Sequence, residues 1–219
     1  MYTSRTLMRG AIALSVIAAL IAAFFINPLF ATAANTGSIH LERNLTQYLE
    51  APDSPSLSIT NNMTIETWVK FEELPPQTGQ TSTRFASHWD SSVNQKGFLW
   101  SLRNQDGVYL LDFANSSNGT SDSLVEVAWT PNTGVWYHVA VTFQSGVVKF
   151  YVDGVQQGSD QTSAMPTIKD STGNFNVGSV QGPNDLLTGN FDDMRLWNAV
   201  RTVMTPFLHT LIIKRFSPV

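Results

Sequence analysis

Between Ser38 and Asn198 the sequence carries no apolar repeat of helical period; it is built from about a dozen short β-rich runs broken by turn residues, and this pattern restricts the fold more than any other feature. Thr64–Phe71 places Ile65, Thr67, Val69 and Phe71 on one face and Glu66, Trp68 and Lys70 on the other. Val135–Gln144 alternates in the same way, with Val135, Tyr137, Val139, Val141 and Phe143 opposite Trp136, His138, Ala140 and Thr142. In Val147–Gln157 two such runs flank Asp153-Gly154, a dipeptide suited to the positive φ angles of a two-residue type I′ turn, so a hairpin is predicted there. Further strands are predicted at Ile39–Leu41, Gln47–Leu49, Arg84–Trp89, Gly97–Leu102, Val108–Phe113, Leu124–Ala128, Phe175–Gly178 and Gly189–Trp197. One sheet of that size would leave an apolar face in water, so the expected fold is an all-β, antiparallel two-sheet β-sandwich of jelly-roll type.

The first 33 residues read as an address and not as part of that fold. Arg5 and Arg9 precede an apolar run of 17 residues, Gly10–Ile26, and Pro28 and Ala31-Thr32-Ala33 follow. A basic start, an apolar centre and an A-x-A site are the parts of a secretory signal peptide, with cleavage expected after Ala33. The run is slightly shorter than the roughly 20 residues of a comfortable span, and an uncleaved anchor is the alternative. Either way the remainder is expected outside the cytoplasm, secreted or at the cell surface, with membrane contact only if the leader is retained. The chain has no cysteine, which excludes a disulfide scaffold and thiol chemistry. Residues 38–198 hold 8 basic against 17 acidic side chains, a net of −9 that disfavours nucleic acid as a partner. Residues 199–219 differ, with three bases, no acids and an apolar cluster at Phe207–Ile213; they are read as an atypical tail, with a short docking helix or a truncated or shifted reading frame as its alternatives.

Four segments in order, Ser56–Phe71, Trp136–Phe143, Val147–Gly154 and Gly189–Asn198, resemble the laminin G-like domains of the concanavalin A-like lectin/glucanase superfamily. The resemblance covers nearly all of residues 38–198 and implies the jelly-roll sandwich. It leaves function open, because such folds serve as lectin-like modules, adhesion domains and glycoside hydrolases. The hydrolases it brings to mind carry carboxylates on alternate residues of one strand, which places a nucleophile and an acid on one face. No such triplet exists here: Glu66 stands between Thr64 and Trp68, and the pairs Glu72-Glu73 and Asp192-Asp193 point to opposite faces. A nucleophile elbow and a zinc-protease helix are likewise missing from the sequence, so a catalytic site is not expected.

A binding role is the expected one, with a glycan or an extracellular protein as partner and loops at one rim as the contact. A glycoside hydrolase with an unrecognised site and a purely structural surface module are the alternatives. Sugar sites combine an aromatic plate with amides and carboxylates, and this mixture occurs at His88-Trp89-Asp90 and at Asn104-Gln105-Asp106. Trp89 is the candidate platform, with His88, Asp90, Asn104 and Asp106 as polar partners; turn chemistry and packing at the core rim are the plainer explanation. Trp68, Trp100, Trp136 and Trp197 are read as packing residues. Alternation puts Asp192 on one face with Met194 and Leu196, at the head of a core-facing row, where a carboxylate needs a cation, backbone N–H groups or a basic side chain. The resemblance implies a structural Ca²⁺ held by Asp192, with Glu42 as candidate second ligand.

Overall fold

The computed structural model describes residues 37–201, so the leader and most of the tail lie outside the described residues. Two six-stranded antiparallel sheets face each other. The first has the order β1 (Ile39–Leu41), β12 (Gly189–Trp197), β3 (Asn62–Phe71), β8 (Trp136–Gln144), β9 (Val147–Val152) and β10 (Val155–Thr162). The second has the order β2 (Leu49–Ala51), β11 (Phe175–Val177), β4 (Ser82–Asp90), β5 (Gln95–Gln105), β6 (Val108–Asn115) and β7 (Ser123–Ala128). This is the jelly-roll sandwich expected from the pattern of short runs.

The core lies where the alternating apolar faces meet. Ile65, Val69 and Phe71 of β3 and Val139, Val141 and Phe143 of β8 come from the first sheet, and Phe85, Phe98, Trp100, Leu102 and Phe113 come from the second. Tilted aromatic pairs join the layers, among them Phe71 with Phe85 at 5.9 Å and Phe113 with Phe143 at 6.0 Å between ring centroids. Asp153 and Gly154 both take positive φ, 49° and 79°, and close the predicted β9–β10 hairpin. Asp106 and Gly107 close β5–β6 in the same manner, with φ of 53° and 91°. The two short N-terminal strands go to different sheets, β1 beside β12 and β2 beside β11, because a 3₁₀ turn at Arg43–Leu45 and a left-handed Thr46 redirect the chain between them.

Of the four tryptophans read as packing residues, Trp100 is fully buried, whereas Trp136 is 37% exposed on the outer face of the first sheet with the Lys70 ammonium 5.5 Å from its ring centroid. A second departure concerns β12. Phe191 stands opposite Val69, Asp192 opposite Trp68 and Arg195 opposite Glu66, so an extra residue is accommodated between Asp192 and Arg195, where Asp193 adopts a φ of 51°. Directly paired residues share a face, so Asp192 lies with Trp68 on the outer face while Met194 and Leu196 turn toward the core. Strict alternation had placed Asp192 in the core-facing row, and the bulge is what shifts it.

Candidate functional site

A polar pocket lies on the outer face of the second sheet, where β2, β11 and β4 end. Its position follows from the strand period. Phe175 and Val177 are buried in the core, so Asn176 between them points outward, and it sits directly opposite Glu50 on one side and Ser87 on the other. Trp89 pairs with Lys96 on that same outer face, and Asp90 ends β4. The cavity has a volume of about 290 Å³ and is lined by Glu50, Trp89, Asp90, Asn174, Asn176 and Gln181 among others.

Hydrogen bonds fix these walls. Asn176 Nδ2 donates to Glu50 Oε2 at 3.0 Å. Asp90 Oδ1 accepts from the Ser92 amide at 2.9 Å, the Ser92 hydroxyl at 2.6 Å and Gln181 Nε2 at 2.8 Å, while the Ser91 hydroxyl donates to Gln181 Oε1 at 2.9 Å. Asp90 thereby caps the 3₁₀ turn Ser91–Val93, and the Ser92 hydroxyl is the chief reason its carboxyl is held below the usual aspartate range. Gln181 and Gly182 both have positive φ and belong to a turn closed by Val180 N donating to Asn184 O at 3.0 Å. The pocket is therefore built from amides and carboxylates already oriented by their neighbours, which is the arrangement that recognises hydroxyl groups.

The five residues singled out for ligand binding do not gather at one place. Trp89 and Asp90 line the pocket, but Trp89 is only 7% exposed: the Lys96 ammonium lies 5.3 Å from its ring centroid, and the ring offers the cavity a border instead of an open plate. His88 turns the other way, into the aromatic core between Phe98 and Phe175, where its Nε2–H donates to the Gly173 carbonyl at 2.9 Å. Burial lowers its pKa despite that carbonyl and the nearby Asp53 and Asp170, so it is held neutral. Asn104 and Asp106 sit at the opposite end of β5, about 30 Å of strand from Lys96 and Trp89. There Asn104 Nδ2 donates to the Pro75 carbonyl at 2.9 Å and its Oδ1 accepts the Gly107 amide at 2.9 Å, while Asp106 occupies the hairpin turn. Their positions serve loop and turn geometry. Glu50, Asn176 and Gln181 were not anticipated; the lone amide in Phe175-Asn176-Val177 is the sequence signal that marks an outward-facing polar group.

Asp192 and Glu42 are not brought together either. β1 pairs with β12 from Ile39 opposite Phe191 to Leu41 opposite Gly189, so Asp192 lies past one end of this pairing and Glu42 past the other, about 13 Å of strand apart. The residues present do not form the two-carboxylate calcium site implied by the resemblance.

On the outer face of the first sheet, Glu66 is buried with 1% exposure beneath Trp197, Arg201 and His138. Burial would raise its pKa, but His138, whose Nε2 lies 3.6 Å away, and the Arg201 charge outweigh that, and the carboxyl is held below the usual glutamate range. Ala199 and Arg201, which composition assigned to the tail, are tied to β3: the Thr64 hydroxyl donates to Ala199 O at 2.8 Å and accepts the Arg201 amide at 3.0 Å.

A two-sheet all-β sandwich with a small polar pocket on one sheet has the build of a lectin-like module. The chain belongs to the concanavalin A-like lectin/glucanases superfamily, whose laminin G model matches residues 43–204. Among solved structures it is similar to domain 4 of AbnA, a GH43 extracellular arabinanase from Geobacillus stearothermophilus, in complex with arabinotriose; identity is 24%, 77% of this chain and 72% of that one are covered, and the TM-score is 0.54. It is also similar to the CBM40 of the Ruminococcus gnavus IT-sialidase bound to α2,3-sialyllactose, at 11% identity, covering 75% and 91% of the two chains with a TM-score of 0.56. Domains LG4-5 of the mouse laminin α1 chain match at 12% identity, 75% and 42% coverage and a TM-score of 0.53. A search of curated protein sequences finds no match to the chain.

Proposed function

We propose that this protein is a non-catalytic carbohydrate-binding module acting outside the cytoplasm, and that it takes neutral sugars in the pocket beside Trp89. The observation that carries the reading is the set of pre-oriented groups around that cavity, Asn176 with Glu50 and Gln181 with Asp90, bordered by one tryptophan. At about 290 Å³ the pocket stands at the small end of ligand sites, which run from about 300 to 1,000 Å³, so it suits one sugar ring with the rest of the chain outside. Two carboxylates and no basic side chain line it, a charge balance that disfavours sialic and uronic acids. Lys96 does not alter this, because its ammonium donates to Asp122 at 2.6 Å. The arabinotriose held by the arabinanase domain and the sialyllactose held by the sialidase module support glycan as the ligand class. The signal-like leader supports secretion. The absence of a paired-carboxylate strand motif supports binding without hydrolysis.

Calorimetric titration of the protein with arabinotriose, cello-oligosaccharides and sialyllactose tests the reading. Binding of a neutral oligosaccharide, weakened about two- to tenfold by Gln181→Ala or Asn176→Ala for the loss of about one hydrogen bond, is the expected result. If neutral sugars fail to bind, if both variants bind as well as wild type, or if sialyllactose binds best, the assignment is wrong.

A further inference from the structure

A different cluster lies on the outer face of the first sheet, away from the sugar pocket. His40 belongs to β1, and Glu42, two residues on, keeps an extended backbone with φ −120° and ψ 118°, so both side chains leave the same face. Glu72 follows directly on β3, where Phe71 faces the core, and therefore also turns outward. The three meet: His40 Nε2 lies 3.1 Å from Glu72 Oε2 and 3.6 Å from Glu42 Oε1, and one ligand atom from each lies within 4.8 Å of the others. The ion pairs of Glu42 and Glu72 among the described residues are with this histidine, while neighbouring Arg43 lies near Glu73 and donates to the Leu186 carbonyl. Directly opposite His40 on β12 stands Asn190, whose side-chain oxygen is buried with no hydrogen-bond partner among the described residues.

We propose that His40, Glu42 and Glu72 form a site for a divalent transition-metal ion of the zinc type. Ligands at about 2.0–2.2 Å from a tetrahedral ion stand about 3.3–3.6 Å apart, and the separations from His40, 3.1 and 3.6 Å, lie within a few tenths of an ångström of that range. One imidazole nitrogen with two carboxylate oxygens is a donor set for zinc; calcium takes 6–8 oxygens and has no use for the nitrogen. The orphaned oxygen of Asn190, on the adjacent strand opposite His40, is claimed by no other group among the described residues. Three protein ligands at a solvent-facing corner leave a coordination position open, so the ion can bridge to a carboxylate or imidazole of a partner molecule.

Calorimetric titration of the untagged, chelator-treated full chain with ZnCl₂ tests this, with His40→Ala, Glu72→Gln and, as a control for a histidine of the tail outside the described residues, His209→Ala compared and their folding checked by circular dichroism. The expected result is one zinc ion per chain, affinity reduced at least tenfold in folded His40→Ala and Glu72→Gln, no change in His209→Ala, and no displacement by millimolar CaCl₂. The site is refuted if wild type takes up no zinc, if His40→Ala binds as tightly as wild type, if only His209→Ala loses binding, or if calcium competes on equal terms.

Discussion

Replacing Glu66 by alanine is expected to be among the most damaging single changes on the outer surface of the first sheet. Its carboxylate is 1% exposed, accepts from Trp197 Nε1 at 3.1 Å and from Arg201 Nη1 at 2.7 Å, and lies 3.6 Å from His138 Nε2. Breaking a buried ion pair by removing one partner costs roughly 3–5 kcal/mol, because the other charge stays desolvated. For a domain of this size each kcal/mol lowers Tm by about 2–4 °C, so Glu66→Ala should melt about 6–20 °C below wild type. Arg201→Ala should cost less, since its side chain is 21% exposed and Glu66 retains Trp197 and His138. Acid dependence adds a second readout. The folded carboxyl is held below its unfolded value, so its stabilisation is complete above the unfolded pKa and is lost as pH falls through the folded one. The stability gap between wild type and Glu66→Gln, followed by urea denaturation, should therefore narrow on acidification. A Glu66→Ala protein within about 1 kcal/mol of wild type, below the usual effect of a buried pair, would refute the reasoning.

The outer face of the second sheet should respond with the opposite sign. Burial raises the Asp112 carboxyl in spite of Arg84, the Ser101 hydroxyl and Arg103, so its contribution to stability declines as pH rises from the unfolded toward the folded pKa. Relative to Asp112→Asn, wild type should lose stability over that interval, and urea midpoints from acid to neutral pH check it; a gap that grows in wild type's favour sinks the assignment. Gly119→Ala should destabilise by about 2–3 kcal/mol, because φ there is +87° and an added Cβ would lie 2.1 Å from the Asn94 carbonyl oxygen. A melting temperature unchanged by this substitution would contradict the backbone geometry at that turn.

The sandwich was legible because burial repeats every second residue: Ile65, Val69 and Phe71, and again Val139, Val141 and Phe143, are core residues as alternation requires. The Asp153-Gly154 hairpin was legible because few dipeptides tolerate two successive positive φ angles. Sites were harder, since they depend on which strands become neighbours. Trp89 and Asp90 are contiguous in sequence and share the pocket, whereas Glu50 and Asn176 meet only because β11 pairs with β2. His88, next to Trp89, lies in the core because successive side chains of a strand point to opposite faces, a rule that already argued against grouping the two. Asp192 failed for a different reason: one extra residue at Asp193 inverts the alternation, and no residue type in Phe191–Met194 announces a bulge. Glu42, the second ligand that the resemblance implied, has as its neighbours His40 of its own strand and Glu72 at the end of β3. Pairing register, which sequence alternation cannot supply, converts an expected calcium pair into a separate nitrogen-and-oxygen cluster. A carboxylate's strand predicts its face, and only the neighbouring strand predicts its partner.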